Sequence, residues 1–447
     1  MIFDAATIAA ATGGERLHDG PAGPVGTDSR RVAPGSWFFA LSGDKFDGHD
    51  FLRVAAASGA AGVVISREPP SGWTTGLVRV RDTLVALQDL ARHARDRFDG
   101  PVVGITGSAG KTSTRVMVVE VLRALGAVHH TQGNLNNHIG LPLTLCGTPP
   151  DADAMVVEMG MNHLGEIALL QGITRPTVRL VTNVGAAHVE GCGSIDGVAR
   201  AKQELFDGAH PGDVLCVNLD DPRIAAMPHP PGVRVVTYGT TPEAMIRLTD
   251  VAVDGDRLQT RLRLETPDGA VRVTLDVPGA HLAINAAAAA AVAFALRVPV
   301  DTLGPALSRF QPEGMRNRVE DIGGVAVLDD AYNANPVSMV AALRTVAALR
   351  GRRFAALGDM LELGEAEAEA HAAVLAEAVE LGLDGVLVTG PRMTSAAVPP
   401  VVAFPDADSL AQALATQLRA GDSLLVKGSR GVRMERVVER LRAARRA

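Results

Sequence analysis

The chain has 447 residues, with 43 Lys plus Arg against 50 Asp plus Glu and a formal net charge of -7. No basic field is offered to a polyanion, so nucleic-acid binding is excluded as a primary role. Hydrophobic residues make up 47% and aromatic ones 3%, as in cores built from Ala, Val and Leu. A chain this long exceeds one core, and about two to four domains are expected.

The opening MIFDAATIAAAT lacks a basic stretch and carries Asp4, so no secretory leader is read. From 1 to about 82 the pattern is mixed: TDSRRVAPGSWFFAL, a glycine-rich GDKFDGHDF, then a helix and the strand GVVIS. Thr83 to Phe98 places Leu84, Leu87, Leu90, Ala94 and Phe98 on one face of an amphipathic helix, and a boundary near 82 follows.

The stretch ITGSAGKTST, 105–114, follows the short apolar run PVVGI and precedes Val116, Val119, Leu122 and Leu125 at helical spacing, with Gly126 as the expected C-cap. A strand, a glycine turn and a helix make a phosphate cradle, in which Lys111 reaches the outer phosphates and Thr112 holds Mg²⁺. The pattern is the shorter GxxGKT, because Ile105 stands where G-x-x-x-x-G-K-[ST] requires Gly. An ordinary glycine turn before a helix is the alternative.

From 100 to about 310, apolar runs (PVVGI, AMVVEMG, VRLVTNVG, DVLCVN) alternate with helical segments, the rhythm of a parallel sheet with covering helices. Ligands in such sheets lie at the carboxyl ends of strands. The polar residues to weigh are therefore Glu158, which ends AMVVE, and Asn183 with His188 after VRLVT. Cys146, Cys192 and Cys216 form no CxxC pair, so neither a disulfide framework nor a zinc site is suggested. The segment 246–278 alternates polar and apolar residues and reads as a small antiparallel appendage. Residues 282–296, the longest apolar segment, are mostly Ala, interrupted by Asn285 and too short to span a bilayer, so a cytoplasmic protein is expected. After QPEGMRNRVE the rhythm restarts with VAVLDD, FAALGDM, DGVLVTG and SLLVKGS, a third domain of Rossmann-like type from about 311 to 447.

Lysine occurs only at 45, 111, 202 and 427, against 39 arginines. A lysine retained in so Arg-rich a chain suits a site that needs a compact charge or a reactive amine. Lys202, in the helical ARAKQELF, is either an exposed helix cation or a low-pKa amine that takes up CO₂ to become a carboxylate.

The ordered motifs together resemble the Mur ligases of peptidoglycan synthesis over essentially the whole chain. The matching pieces are TDSRRVAPGSWFFAL, GDKFDGHDF, TGSAGKTST, TQGNLNNHIGLPLTL, VVEMGMNHLGEI, TNVGAAHVEGCGS, AKQELF, GAHLAINAAAAAAVA, DDAYNANPVSM, LGDMLELG and VKGSRGVRME. The likeness is to the branch that adds a dipeptide. It implies three α/β domains: a UDP-substrate-binding domain over 1–82, a central phosphate-loop ATPase domain with a parallel sheet over 83–310, and a Rossmann-like ligase domain over 311–447. It further implies an ATP-dependent amide ligase joining D-alanyl-D-alanine to UDP-N-acetylmuramoyl-tripeptide through an acyl phosphate, acting as a monomer without membrane insertion, with hinges near 82 and 311.

Carried onto this chain, the resemblance gives Ser29, Arg30, Lys45, Asp47, Gly48 and His49 to the uridine diphosphate end. Gly107, Ser108, Ala109, Gly110, Lys111, Thr112 and Ser113 fall to the ATP phosphates, Asn285 to the adenine, and Arg316 and Asp330 to the rest of the nucleotide. Thr112 and Glu158 take one Mg²⁺, while His188 and carbamylated Lys202 take a second. Asn134, Asn136, Asn137, Tyr332, Asn333 and Asn335 line the dipeptide site. Lys427, Ser429 and Arg430 reach the cleft on closure. Rival readings are the ligase that adds the third stem residue, folylpolyglutamate synthase, and a phosphate-loop switch. No DNPR motif supports the first, TDSRRV would be superfluous in the second, and DKFD at 44–47 lacks the Asn or Thr of a guanine reader.

Overall fold

The apolar runs become strands with fully buried backbones. Val102–Thr106, Ala154–Glu158, Val178–Val181 and Val214–Asn218 are buried at every residue, as parallel strands covered on both faces must be. The computed structural model describes residues 1–43 and 46–446. Among these, no helix is long and apolar enough to cross a membrane. The chain divides into two units: residues 1–104, 125–160 and 166–177 form the first, and 105–124, 161–165 and 178–447 the second.

In the first unit a five-stranded sheet runs in the order Glu15–His18, Gly76–Arg79, Gly62–Ile65, Trp37–Phe39, Val25–Gly26. Only Glu15–His18 is antiparallel to its neighbour. Phe38, Val63, Ile65 and Leu77 fill one face with Leu52 and Ala55. Trp37 is fully buried, donating its indole N–H to the Pro21 carbonyl at 3.0 Å. Its ring needs a slot that glycines provide: a Cβ on Gly62 would stand 2.5 Å from it, on Gly20 2.7 Å and on Gly76 2.8 Å. The expected helix after 82 is Thr83–Asp96, capped by Asp82, with Ala86, Leu87, Leu90, Ala91 and Ala94 buried and Leu84 only half-buried. It is tied to the preceding segment, for the Thr83 hydroxyl donates to the Ala40 carbonyl at 2.9 Å. The same unit holds the parallel pair Val128–His130 and Ala154–Glu158.

In the second unit Val178–Val181, Val214–Asn218 and Arg234–Gly239 are parallel. The expected appendage is three strands, Ile246–Asp254, Gln259–Thr266 and Gly269–Leu275, paired antiparallel. It is joined to the main sheet, because Ile246–Asp254 pairs in parallel with Arg234–Gly239. The Ala-rich segment is the helix His281–Ala295, 12 of whose residues are buried, and it packs on Lys111–Leu122. The latter helix ends three residues before expected, in a 3-10 turn over Arg123–Leu125. Gly126 follows at φ +129, where a Cβ would stand 1.9 Å from Asp153 Oδ2, so close approach rather than helix capping demands glycine there. The expected hinge near 311 is moored to this helix: Arg115, fully buried, pairs with Glu313, and Arg309 Nε lies 3.1 Å from Glu120 Oε2.

The C-terminal sheet runs in the order Arg318–Ile322, Val325–Asp330, Ser423–Lys427, Arg353–Gly358, Gly385–Thr389, Val402–Phe404. All pairs but the first are parallel, with apolar cores on both faces. The carboxyl ends of its strands carry Asp330, Gly358 and Lys427, the edge where a doubly wound sheet binds ligands.

Two glycine substitutions of opposite sign test the packing. Gly62→Ala drives a methyl into the Trp37 ring and is expected to destabilise by about 1–3 kcal/mol. Gly172→Ala, in the helix Glu166–Thr174 with open space around its Cβ, is expected to stabilise by about 0.5–1 kcal/mol. Urea denaturation followed by Trp fluorescence and far-UV circular dichroism measures both.

Candidate active site

Strand Val102–Thr106 delivers the chain into the glycine turn, and Ile105 is buried inside that strand, where a β-branched residue fits and no glycine is needed. Gly107 sits at φ +153 with its would-be Cβ 1.8 Å from Thr182 Oγ1. Gly110, at φ +79, caps helix Lys111–Leu122, and a Cβ there would stand 2.9 Å from Asn285 Oδ1. Any larger residue at either position displaces the turn.

The loop is braced by the segment after Val178–Val181. Ser108 N–H donates to the Asn183 carbonyl at 3.0 Å, and Ala109 N–H to Asn183 Oδ1 at 2.9 Å. Thr182 Oγ1 and Asn183 Nδ2 both donate to the Ala109 carbonyl, at 2.6 and 3.0 Å. The Ser108 hydroxyl donates to the Gly185 carbonyl at 3.1 Å. The amides of Ser108 and Ala109 are thus both bonded to Asn183 in this structure. Lys111 folds over the loop, its Nζ donating to the Gly107 carbonyl at 2.7 Å. Thr112 is buried on the first helical turn.

Lys202, on helix Ile195–Asp207, is 1% exposed. Burial, reinforced by the Lys111 charge, holds its amine well below the ordinary lysine range. The exposed helix cation is thus ruled out. Asn285, on the buried face of His281–Ala295, stands over Gly110. His188 adopts φ +58 at the start of the short helix Val189–Cys192, and its Nδ1 lies 2.6 Å from Glu362 Oε2.

Asp330 ends its strand against Lys427 of the neighbouring strand, Nζ to Oδ2 2.5 Å, and accepts the Asn317 N–H on Oδ1 at 3.0 Å. Lys427 is 2% exposed and also donates to the Asn333 carbonyl at 2.9 Å. It is committed within its own sheet, so its place is that of a tether for Asp330. Ser429 is buried too, its hydroxyl donating to the Ala334 carbonyl at 3.3 Å, whereas Arg430 is exposed and pairs with Glu435 at 3.0 Å. The Arg316 guanidinium stacks 3.7 Å over the Tyr332 ring. Asn333 is exposed. Asn335 caps helix Pro336–Ala347 and donates from Nδ2 to the Ser108 carbonyl at 3.2 Å, which joins the DDAYNANP segment to the phosphate loop.

In the first unit Glu158 ends its strand 2% exposed. Asn136 Nδ2 donates to its Oε1 at 2.9 Å, and its own N–H donates to Thr131 Oγ1 at 2.9 Å. Thr131, overlooked in the sequence, fixes the strand end that presents the carboxylate. Asn137 accepts the Ile139 and Gly140 amides and so caps helix Gly140–Cys146, while Asn134 is exposed.

The N-terminal group is tied by side chains. Arg30 is exposed and pairs with Asp28 at 2.9 Å, beside Ser29. His49 Nε2 accepts the Ser66 N–H at 3.0 Å, which leaves Nδ1–H to donate to Asp47 Oδ1 at 2.7 Å. Burial pushes the Asp47 carboxyl up, but the His49 amide and ring together with Ser42 outweigh it and hold it at about 2. The Ser66–His49–Asp47 array mimics a hydrolytic triad, yet the Nε2 lone pair is occupied by a backbone amide and no general base is available. Gly48 lies against Ala40, where a Cβ would stand 2.8 Å from its Cα. Lys45 lies outside the described residues.

Among the described residues no cluster of three or more His, Cys, Asp or Glu could hold a metal ion. Mg²⁺ does not need one, since it usually binds through one or two protein oxygens with phosphate oxygens and waters.

Comparisons with known proteins agree with this layout. Residues 105–293 match the Mur ligase middle domain, 309–430 the Mur ligase glutamate ligase domain, and 24–95 the Mur ligase family catalytic domain. The UDP-N-acetylmuramoyl-tripeptide--D-alanyl-D-alanine ligase of Escherichia coli (strain K12) is 37% identical over 422 residues, covering 93% of each chain. The structure of MurF from Acinetobacter baumannii superposes with a TM-score of 0.91 at 29% identity over 99% of both chains. That of MurF ligase from Thermotoga maritima in complex with ADP gives 0.86 at 30% identity over 95% of this chain and 98% of its own. The three-part α/β class expected from the sequence is that of these structures.

Asn183 is the test of the loop brace. Asn183→Ala removes both side-chain bonds to Ala109, leaves the Ser108 N–H on the residue 183 carbonyl, and is expected to raise the Kd for ADP by about 5- to 30-fold, the equivalent of about 1–2 kcal/mol. Calorimetric titration of the folded variant measures it.

Proposed function

This chain belongs to the Mur ligase family, and on that premise we propose that it is the ATP-dependent ligase that joins D-alanyl-D-alanine to UDP-N-acetylmuramoyl-tripeptide. The observation that carries the reading is likeness to ligases of that name along nearly the whole chain, together with a match to the Mur ligase middle domain over 105–293, the range that holds the braced phosphate loop. We divide the chain at 82 and 310 into substrate, ATPase and ligase domains, and read the protein as a cytoplasmic monomer.

In this reaction the tripeptide's terminal carboxylate attacks the γ-phosphate of ATP and ADP departs. The dipeptide amine then attacks the acyl phosphate, forming the amide and releasing phosphate. Bringing two unit anions to about 4 Å costs about 4 kcal/mol at an effective dielectric of 20. Lys111, already lying over the loop, offsets part of this as a compact charge at the outer phosphates. The helix N-terminus from Gly110 through Ser113 receives the inner phosphates. Asn285, which stands over Gly110, takes the adenine, while Arg316 and Asp330 contact the rest of the nucleotide, Asp330 at a ribose hydroxyl.

Each residue assigned to Mg²⁺ carries a suitable donor by itself: Thr112 a buried hydroxyl and Glu158 a carboxylate bonded to Asn136, with His188 and a modified Lys202 assigned to a second ion. When bound, Mg²⁺ neutralises phosphate charge. Lys202 fits carbamylation, because a buried amine facing another lysine is stabilised neutral and hence nucleophilic. Its nitrogen bonds to CO₂, loses a proton, and a cation becomes an anion attracted to Lys111. Ser29, Arg30, Lys45, Asp47, Gly48 and His49 take the uridine diphosphate. Asn134, Asn136, Asn137, Tyr332, Asn333 and Asn335 take the dipeptide.

With ATP, Mg²⁺ and UDP-N-acetylmuramoyl-tripeptide, phosphate release is expected to require D-alanyl-D-alanine; release indifferent to the dipeptide favours a simple nucleotide hydrolase. Lys202→Ala is expected to lose most of this activity and to regain part with added formate or acetate. A folded variant that no carboxylate rescues removes the carbamate from the account.

A further inference from the structure

The loop that follows strand Arg353–Gly358 is fastened on several sides. Asp359 Oδ1 accepts the amides of Arg392 at 3.1 Å and Met393 at 2.8 Å, and its carbonyl accepts the Ser429 amide at 2.9 Å. Met360 N–H donates to His371 Nε2 at 3.0 Å, and the other ring nitrogen of His371 donates to the Glu367 carbonyl at 2.6 Å. Leu361 N–H donates to Ser429 Oγ at 3.0 Å. Met360 and Leu363 are fully buried on either side.

What this framework presents is Glu362, a non-glycine residue at φ +64. Opposite stands His188, also left-handed at φ +58, with Nδ1 2.6 Å from Glu362 Oε2. At that distance Nδ1 is within hydrogen-bond reach of the carboxylate, whose pKa the His188 ring lowers, although the angle between them is poor. The backbones meet as well: Glu190 N–H donates to the Glu362 carbonyl at 3.3 Å, and a Cβ on Gly364 would stand 3.6 Å from Glu190 Cα. Left-handed side-chain-bearing residues are uncommon, and they persist where surrounding structure over-determines them. Here two of them face each other across one contact.

We propose that Glu362 is a positioning residue, the latch by which the Asp359–Leu363 loop holds the His188 loop of the ATPase region and orients the His188 ring with Nδ1 toward the carboxylate and Nε2 away from it. A carboxylate behind a histidine fixes its ring orientation, so the latch sets the His188 ring only when the C-terminal sheet is docked. The catalytic consequence rests on the ligase reading above; the docking does not.

Two measurements separate them. In the full chain carrying Glu190→Cys and Gly364→Cys, mild oxidation is expected to form the cross-link, and adding Glu362→Gln is expected to slow it by about two- to fivefold, the range for losing one partly exposed charge pair. Adding Glu362→Asp, which keeps the charge, is expected to restore at least part of the rate. An unchanged cross-linking rate in the Glu362→Gln background, at unchanged thermal stability, overturns the latch whatever the enzyme's substrate. In turnover, Glu362→Gln without the cysteines is expected to lower kcat while leaving the KM for ATP within about twofold, since the nucleotide loop is braced separately by Asn183. Unaltered kcat overturns the positioning role; a raised KM with kcat intact does so too.

Discussion

Lys111 and Lys202 set the electrostatic problem that the rest of the second unit solves. Both are cations as free amino acids; Lys202 is fully buried and Lys111 half-buried, and the charge of one opposes the charge of the other. Burying an unpaired ammonium is costly enough that the group sheds its proton instead. Lys111 donates to the Gly107 carbonyl. Lys202 is the member pushed toward neutrality. The pair thus sets a cation at the phosphate loop beside a buried amine that is held toward neutrality.

The geometry around that pair is rigid because backbone amides are used for bracing before any ligand arrives. Asn183 spends both its side-chain oxygen and its nitrogen on Ala109, and Thr182 shares the same carbonyl. Glycine is required at 107 and 110 by the proximity of Thr182 and Asn285 as much as by conformation. Asn335, the cap of helix Pro336–Ala347, reaches the loop through the Ser108 carbonyl, and Asp330 with Lys427 fastens two neighbouring strands of the C-terminal sheet. Residues that a motif scan assigns to substrate are thus held in place by one another, as preorganised polar groups must be if they are to act without reorganising during the reaction.

Local signals made much of this legible in the sequence. The strand, turn and helix around 107–113 follow from apolar period and glycine placement, and the scarcity of lysine pointed at Lys111 and Lys202. What escaped depends on tertiary neighbours. Nothing in TQGN marks Thr131 as the residue that pins the end of the Glu158 strand, because the two are far apart in sequence. The ion pair of Lys427 with Asp330 was equally hidden, because strands Val325–Asp330 and Ser423–Lys427 are neighbours in the sheet but far apart in sequence, and no local pattern encodes that. The Gly126 and Leu84 expectations failed for the same reason: Asp153 and the packing around Thr83 decided them.

Labelling with ¹³C-bicarbonate gives the most direct test of the Lys111–Lys202 constraint. A neutral, buried Lys202 amine predicts a carbamate carbon resonance in the wild-type chain that disappears in Lys202→Ala and persists in Lys111→Ala. Absence of that resonance in the wild-type chain, or its survival in Lys202→Ala, contradicts the account.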